Sequence, residues 1–159
     1  MKEHAYKATT TWTGNKGPGT LDYKSYERSH TLSVAGKPDL LGSSDPLFRG
    51  DKTKHNPEDL LVSALSGCHM LWYLHLCAVN NVVVVDYVDH AEGIMVEHED
   101  GSGEFTRVTL KPRVTVKDAS MIEKANQLHK DAHRYCFIAR SVNFDVLHEP
   151  VATAENVIA

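Results

Sequence analysis

Of the twenty residues from Leu60 to Val79, fifteen are apolar, interrupted only by Ser63, Ser66, Gly67, His69 and His75. A segment apolar around nearly its whole circumference is either a buried helix or a membrane span. Burial is the expectation here, because two serines and two histidines break the run and strand-like segments surround it. The run opens on Asn56-Pro57-Glu58-Asp59. Asn56 can accept from the free N–H groups of a first turn, and Pro57 suits the first helical position. Glu58 and Asp59 complement the positive end of the helix dipole. The pattern predicts one helix over 57–80. A helix buried on every side is hard to cover with the rest of a 159-residue chain, which points to a homodimer that covers it jointly.

The remainder reads as a single α+β domain over 1–159, in line with ordinary domain size. Charged residues make up 24% and the net charge is −4 with histidine neutral. This mild acidity argues against a nucleic-acid binder, which carries a basic excess. No membrane partner is expected. The N-terminal strands fall within 5–35: Ala5–Thr13, Thr20–Lys24 and Arg28–Val34, the first two separated by the turn Gly14–Gly19. Residues 36–55, rich in Pro, Gly and Ser, read as a long loop. A hairpin is expected over 82–116, turning at Asp100-Gly101-Ser102-Gly103. Within it Val108, Leu110, Pro112, Val114 and Val116 share one face, and Pro112 marks an edge or a bulge. Ser120-Met121-Ile122-Glu123 reads as a capping box for a helix over 120–136 with the stripe Ile122, Ala125, Leu128, Ala132, Cys136. A final strand over 140–148 and a tail after Glu149-Pro150 complete the order.

Three cysteines form no C-x-x-C pair, and the start has no apolar core of a secretory signal, so a cytoplasmic location without structural disulfides is expected. Cys68 and Cys136 fall on the apolar stripes of the two helices, so helix packing would bring two thiols to one interface. Cys77 reads as core. A reactive thiol must ionise, and lowering its pKa by three units takes roughly 4 kcal/mol. The dipole of the first helix does not reach Cys68, which lies about 18 Å along the axis from Asn56. A cation must come from elsewhere. Arg49, in the loop before the helix, is the first choice, with Glu58 to orient it. Arg28 and Arg140 are reserves.

Two other chemistries compete. His129 and His133 sit four apart with Cys136 a turn further, a pattern that could begin a metal site with Cys68 as fourth ligand. A cysteine hydrolase would need an imidazole in reach of Cys68, and His69 is poorly aimed because adjacent helix positions diverge. His4, His30, His55, His90, His98 and His148 are scattered and read as surface polarity.

Asn56-Pro57-Glu58 opening a long helix, Cys68 ten residues after the glutamate, and Cys136 ending a later helix in His133-Arg134-Tyr135-Cys136 resemble the OsmC/Ohr family. The order of elements is also similar. The resemblance implies an OsmC-like fold, with antiparallel sheets around a long central helix, in an intertwined homodimer with active sites at the subunit interface. It implies a thiol-dependent peroxidase acting on organic hydroperoxides. Cys68 would be the peroxidatic cysteine, Cys136 the resolving one, and Glu58 the partner of the thiolate-stabilising arginine. No cofactor or metal is implied beyond an external dithiol reductant of lipoyl type. Phe137 stands where many members have proline, and Trp72 replaces smaller residues, which marks a side branch.

Overall fold

The computed structural model describes residues 1–155. Where the sequence reads as one domain, residue contacts group into two compact units, Met1–Leu60 and Leu61 onward, each described by itself.

In the first unit, β1 (Thr9–Trp12), β2 (His30–Ser33) and β3 (Leu40–Gly42) form an antiparallel sheet in that order. Two expectations change here. Thr20–Lys24 is a succession of turns and bends and not a strand. Asn15 Oδ1 accepts the N–H groups of Gly17 and Gly19 at 2.9 and 3.0 Å, and Asp22 Oδ1 accepts that of Lys24 at 2.8 Å. Such local side-chain bonds compete with a ladder. Residues 36–55 are not one long loop either. They contain β3, a 3-10 turn at Pro46–Phe48, and a return of the chain in which Ser43 N–H donates to His55 O at 2.9 Å. Gly50 makes that compactness possible, since a Cβ there would lie 1.6 Å from the Ser44 carbonyl oxygen.

Helix α1 (Pro57–Val79) starts as the sequence predicts. Asp59 N–H donates to Asn56 Oδ1 at 2.8 Å and Asn56 N–H to Asp59 Oδ2 at 3.3 Å, a reciprocal cap. The helix stops because Asn81 takes the left-handed conformation (φ 59°) and Val82 N–H closes on Cys77 O at 2.9 Å. By length and composition α1 could cross a membrane. In this fold it packs one stripe inward, Leu65, His69, Tyr73 and Cys77. The expectation of burial on every side is therefore corrected for the single chain: Leu71 is 65% and Val79 62% exposed. Cys77 is core, as expected.

The second unit holds more strands than a hairpin. They are β4 (Val84–Asp89), β5 (Glu92–Glu97), β6 (Gly103–Leu110), β7 (Pro112–Val116), β8 (Asp145–His148) and β9 (Val151–Ala154). Two sheets result, ordered β4-β7-β9 and β5-β6-β8. The pairs β4–β7 and β5–β6 are antiparallel, while β6–β8 and β7–β9 are parallel, so the sheets are mixed. Val108, Leu110, Pro112, Val114 and Val116 are all buried and alternate with more exposed neighbours, as read from the sequence. Pro112 lies neither on an edge strand nor in a bulge. It is the first residue of the central strand β7, where a missing N–H is tolerated. The expected strand over 140–148 begins only at Asp145, because a 3-10 turn occupies Ala139–Ser141. The expected tail contains β9, in register with β7 from Arg113↔Val151 to Val116↔Ala154. Residues 156–159 of that tail lie outside the described residues.

Helix α2 (Ile122–Tyr135) is preceded by a 3-10 turn at Ala119–Met121. Asp118 Oδ1 accepts Ser120 N–H at 2.9 Å, so the chain is capped two residues earlier than the expected Ser120–Glu123 box. Its buried stripe is Ala125, Leu128, His129 and Ala132, with Cys136 buried just past the end. Tyr73 of α1 crosses to α2, its hydroxyl donating to Ala125 O at 2.9 Å.

If β9 is structural, a chain ending at Pro150 loses a strand of ladder bonds, each worth about 1 kcal/mol net. We expect urea denaturation to show a loss of about 2–4 kcal/mol. An unchanged midpoint would make the strand dispensable.

Candidate active site

Two thiols meet in the second unit. Cys68 lies on α1 beside the buried stripe and is half-buried, and Cys136 caps α2 with extended backbone (φ −63°, ψ 112°) and is buried. The two thiols are near neighbours, close enough for Cys68 to act on the ionisation of Cys136. The spacing of α1 explains the placement. Leu65, His69 and Tyr73 face inward at intervals of four, so Cys68 falls about 100° to one side, toward the end of α2.

The turn after α2 holds Cys136 firmly. Its N–H donates to Ala132 O at 3.0 Å, its carbonyl accepts Arg140 N–H at 3.1 Å, and Ala139 N–H donates to its sulfur at 3.5 Å. Burial pushes the Cys136 thiol up to about 11, and the neighbouring Cys68 adds to the rise. Cys136 is therefore a thiol at neutral pH. Aromatic rings lie next to the pair in sequence and space: Trp72 stacks on Tyr135 at 5.2 Å and meets Phe137 edge-on at 5.5 Å. Phe137 is 67% exposed. Leu65, three residues before Cys68, is fully buried in a core cluster with Val108, Leu110 and Val146.

Arg49 and Glu58 belong to the first unit. Arg49 ends the 3-10 turn in the left-handed region (φ 63°, ψ 27°), its N–H donating to Pro46 O at 3.1 Å. An arginine held there stores strain of order 1–3 kcal/mol. Its guanidinium lies 6.0 Å over the Tyr23 ring and borders a cavity of about 230 Å³ with Glu27, Arg28, Ser29, Ser43, Gly50 and Asp51. Arg28 is committed locally: it donates to Tyr23 O and Tyr26 O, both at 2.6 Å, and stacks on both rings. Among the described residues no ion pair joins Arg49 to Glu58. Glu58 Oε2 is buried without a hydrogen-bond partner. Arg140, the other reserve, is exposed on the turn after Cys136.

The proposed metal constellation is not formed. His129 turns inward, its Nδ1 3.0 Å from His69 Nε2, while Cys136 faces Cys68. Among the described residues no group of three or more His, Cys, Asp or Glu side chains could hold a metal ion. His69 is likewise turned to His129, and among the described residues no imidazole hydrogen-bonds Cys68 as a hydrolase would require.

The sequence reading missed a cluster of four histidines. The His69 ring lies 5.3 Å from His129 and 4.5 Å from His148, and His133 meets His148 at 4.7 Å. Tyr73 stacks on His129 at 3.9 Å. His148 was read as surface polarity, but β8 pairs with β6 and carries it to α1. The signal for His69 was available, since it sits at i+4 from Leu65 and i−4 from Tyr73. Buried ring nitrogens of His69, His129 and His148 lack partners. Burial pulls His69 down to about 3, aided by His148, His129 and His133. Burial also lowers His129 and His148 to about 4; for His148 the charge of His133 lowers it further, while Asp89 opposes. Asp89 itself accepts from Ser66 Oγ and Lys111 N–H, both at 2.6 Å.

A mixed α+β fold with a long central helix and two neighbouring cysteines, one midway along that helix and one just past the end of α2, defines a thiol-bearing class of domain. Residues 50–149, well over half of the chain, match the family described as OsmC-like protein, and the chain belongs to that family. An OsmC-like protein of unknown function from Vibrio cholerae is 31% identical, with a TM-score of 0.84 over 94% of this chain and 100% of that one. Organic hydroperoxide resistance proteins share the fold at lower identity. The one from Bacillus subtilis is 21% identical (TM-score 0.63, 93% and 98% covered). The one from Elizabethkingia anophelis is 14% identical (TM-score 0.66, 97% and 99% covered). No curated protein sequence matches.

The histidines predict an acid response. Unfolded imidazoles take protons near pH 6.5, the folded ones only near 3–4. Between those values the unfolded chain binds more protons. Stability is thus complete above about pH 6.5 and is lost as pH falls toward 4. Urea midpoints measured from pH 7 to pH 4 should decline, and less steeply in His148→Gln. A flat profile would contradict neutral burial of the cluster.

Proposed function

We propose that this protein is a two-cysteine peroxidase that reduces organic hydroperoxides to alcohols. The closeness of Cys68 to Cys136, on two helical elements packed together, carries this reading. Of the two thiols, Cys68 is the half-buried one, suited to meet a substrate, and Cys136 is protonated and enclosed, suited to resolve.

The Cys68 thiolate attacks one peroxide oxygen. The O–O bond breaks, the distal oxygen stays on sulfur as a sulfenic acid, and the alkoxide leaves with a proton as the alcohol. Cys136 then attacks the Cys68 sulfur, water departs, and a disulfide remains. An external dithiol, of lipoyl type by family resemblance, returns both cysteines to thiols. In this reading Arg49 stabilises the thiolate and Glu58 orients Arg49. Supporting this choice over Arg28, the Arg49 side chain makes no hydrogen bond among the described residues, whereas Arg28 is spent on two carbonyls. The partnerless oxygen of Glu58 offers a guanidinium an acceptor. Trp72 and Phe137 provide apolar surface that favours an organic peroxide over hydrogen peroxide.

Adding one equivalent of cumene hydroperoxide to the reduced protein should give a Cys68–Cys136 disulfide by mass spectrometry. Cys68→Ser should abolish turnover. Cys136→Ser should allow a single turnover and then stall. Arg49→Ala should slow thiolate attack tenfold or more, the effect of about one unit of lost thiolate stabilisation. Substantial turnover by Cys68→Ser would defeat the proposal.

We further propose a homodimer. The uncovered face of α1, including Leu71 and Val79, supports it. Light scattering should give twice the chain mass of 17.7 kDa, and Leu71→Glu should shift the mass toward one chain. A monomer at micromolar concentration would rule it out.

A further inference from the structure

The aromatic rings near the two cysteines form a group of their own. Trp72 stands four residues after Cys68, so the two share one side of α1, about one turn apart. Tyr135 and Phe137 flank Cys136 in sequence. Trp72 is the hub. Tyr135 stacks on it with centroids 5.2 Å and planes 24° apart, and Phe137 meets it at 5.5 Å and 82°. Packing accounts for two of these rings. Trp72 is half-buried against the core cluster that includes Tyr73 and Leu128. Tyr135 has Trp72 and the Arg134 guanidinium against its ring.

Packing does not account for Phe137, which is 67% exposed. A single exposed apolar residue is ordinary. This one is held in place: Ser141 Oγ donates to its carbonyl at 2.7 Å, and the turn around it is closed by Arg140 N–H on Cys136 O. A ring anchored through its backbone loses little freedom when a guest binds. Trp72 and Phe137, nearly at right angles, also form a corner. A third ring laid parallel to Phe137 stands edge-on to Trp72. Offset stacking and edge-to-face contact are the two arrangements that aromatic rings prefer. A planar guest satisfies both walls at once, whereas a puckered saturated ring of the same size gains contact area only.

We propose that Trp72 and Phe137 make this protein selective for hydroperoxides that carry an aromatic ring, and that these two side chains are its specificity-determining residues. The inference rests on the peroxidase reading above and names the substrate class for that site. The chemistry is unchanged. The O–O bond breaks, the aryl-bearing alcohol leaves, the second oxygen departs as water when the disulfide forms, and the external dithiol ends as its own disulfide. The two rings take no part in bond breaking. They hold the substrate ring equally before and during attack, so the preference falls on KM and not on kcat.

The test compares cumene hydroperoxide with its saturated counterpart, in which a cyclohexyl group replaces the phenyl ring, using dihydrolipoamide as the dithiol. The wild-type chain should favour the aryl substrate in kcat/KM by about fivefold, through KM. In Phe137→Leu and in Trp72→Leu, which keep an apolar side chain, the ratio should fall toward one as KM for the aryl substrate rises. A wild-type ratio of one, or a ratio that survives both substitutions, would overturn this inference and leave the peroxidase reading standing. Light scattering on Phe137→Leu supplies a second check: a fall to the single-chain mass of 17.7 kDa would assign the ring to a subunit contact and overturn the inference as well. Turnover of neither hydroperoxide would overturn both readings.

Discussion

The second unit is organised by the packing of α1 on α2 along one stripe spaced by four residues. Leu65, His69, Tyr73 and Cys77 are buried, and Tyr73 and His69 reach α2 by hydrogen bonds to Ala125 and His129. A helix has only about 100° between successive side chains. Once that stripe faces inward, the position of Cys68 is fixed to the side, next to the residue that ends α2. The thiol pair is therefore a consequence of helix phase and helix length. One residue inserted between Leu65 and Cys68 would turn the cysteine away while leaving the composition of the helix unchanged.

Much of this was legible because the signals are local. Asn56-Pro57-Glu58-Asp59 marked the start of α1, and the alternation from Val108 to Val116 marked the buried face of β6 and β7. Those features depend on neighbours in sequence. What was not legible depends on partners far along the chain. β9 has four residues, too few to signal a strand, and exists because β7 offers it a parallel edge. The same holds for β3, which needs β2. Thr20–Lys24 failed in the opposite sense: its strand formers lost to Asn15, Asp22 and Arg28, which bind the backbone locally.

The candidate site divides along the same line. The two cysteines were visible from stripe position, and the structure brings them together. The histidines were misread because a single helix was considered at a time. On α2 alone His129 and His133 share a polar face. With α1 packed alongside, His129 is buried and His133 is not. His148 is scattered in sequence, yet the parallel pairing of β8 on β6 delivers it to His69. Arg49 and Glu58 came from the need of a reactive thiol for a cation and from their place just before and at the start of α1; family resemblance added a match for Glu58.

Burying His69 and His129 together, with His148 half-buried against His69, has a chemical consequence. Partnerless ring nitrogens inside a protein cost on the order of 1–3 kcal/mol each, so such a cluster is not there for stability. Burial holds His69, His129 and His148 neutral. Cys136 stays a thiol because burial pushes its ionisation up to about 11, with the neighbouring Cys68 adding to the rise. The two sulfurs are therefore unlike for a reason of packing alone: Cys68 on the flank of α1 is half-buried, while Cys136 is enclosed and protonated.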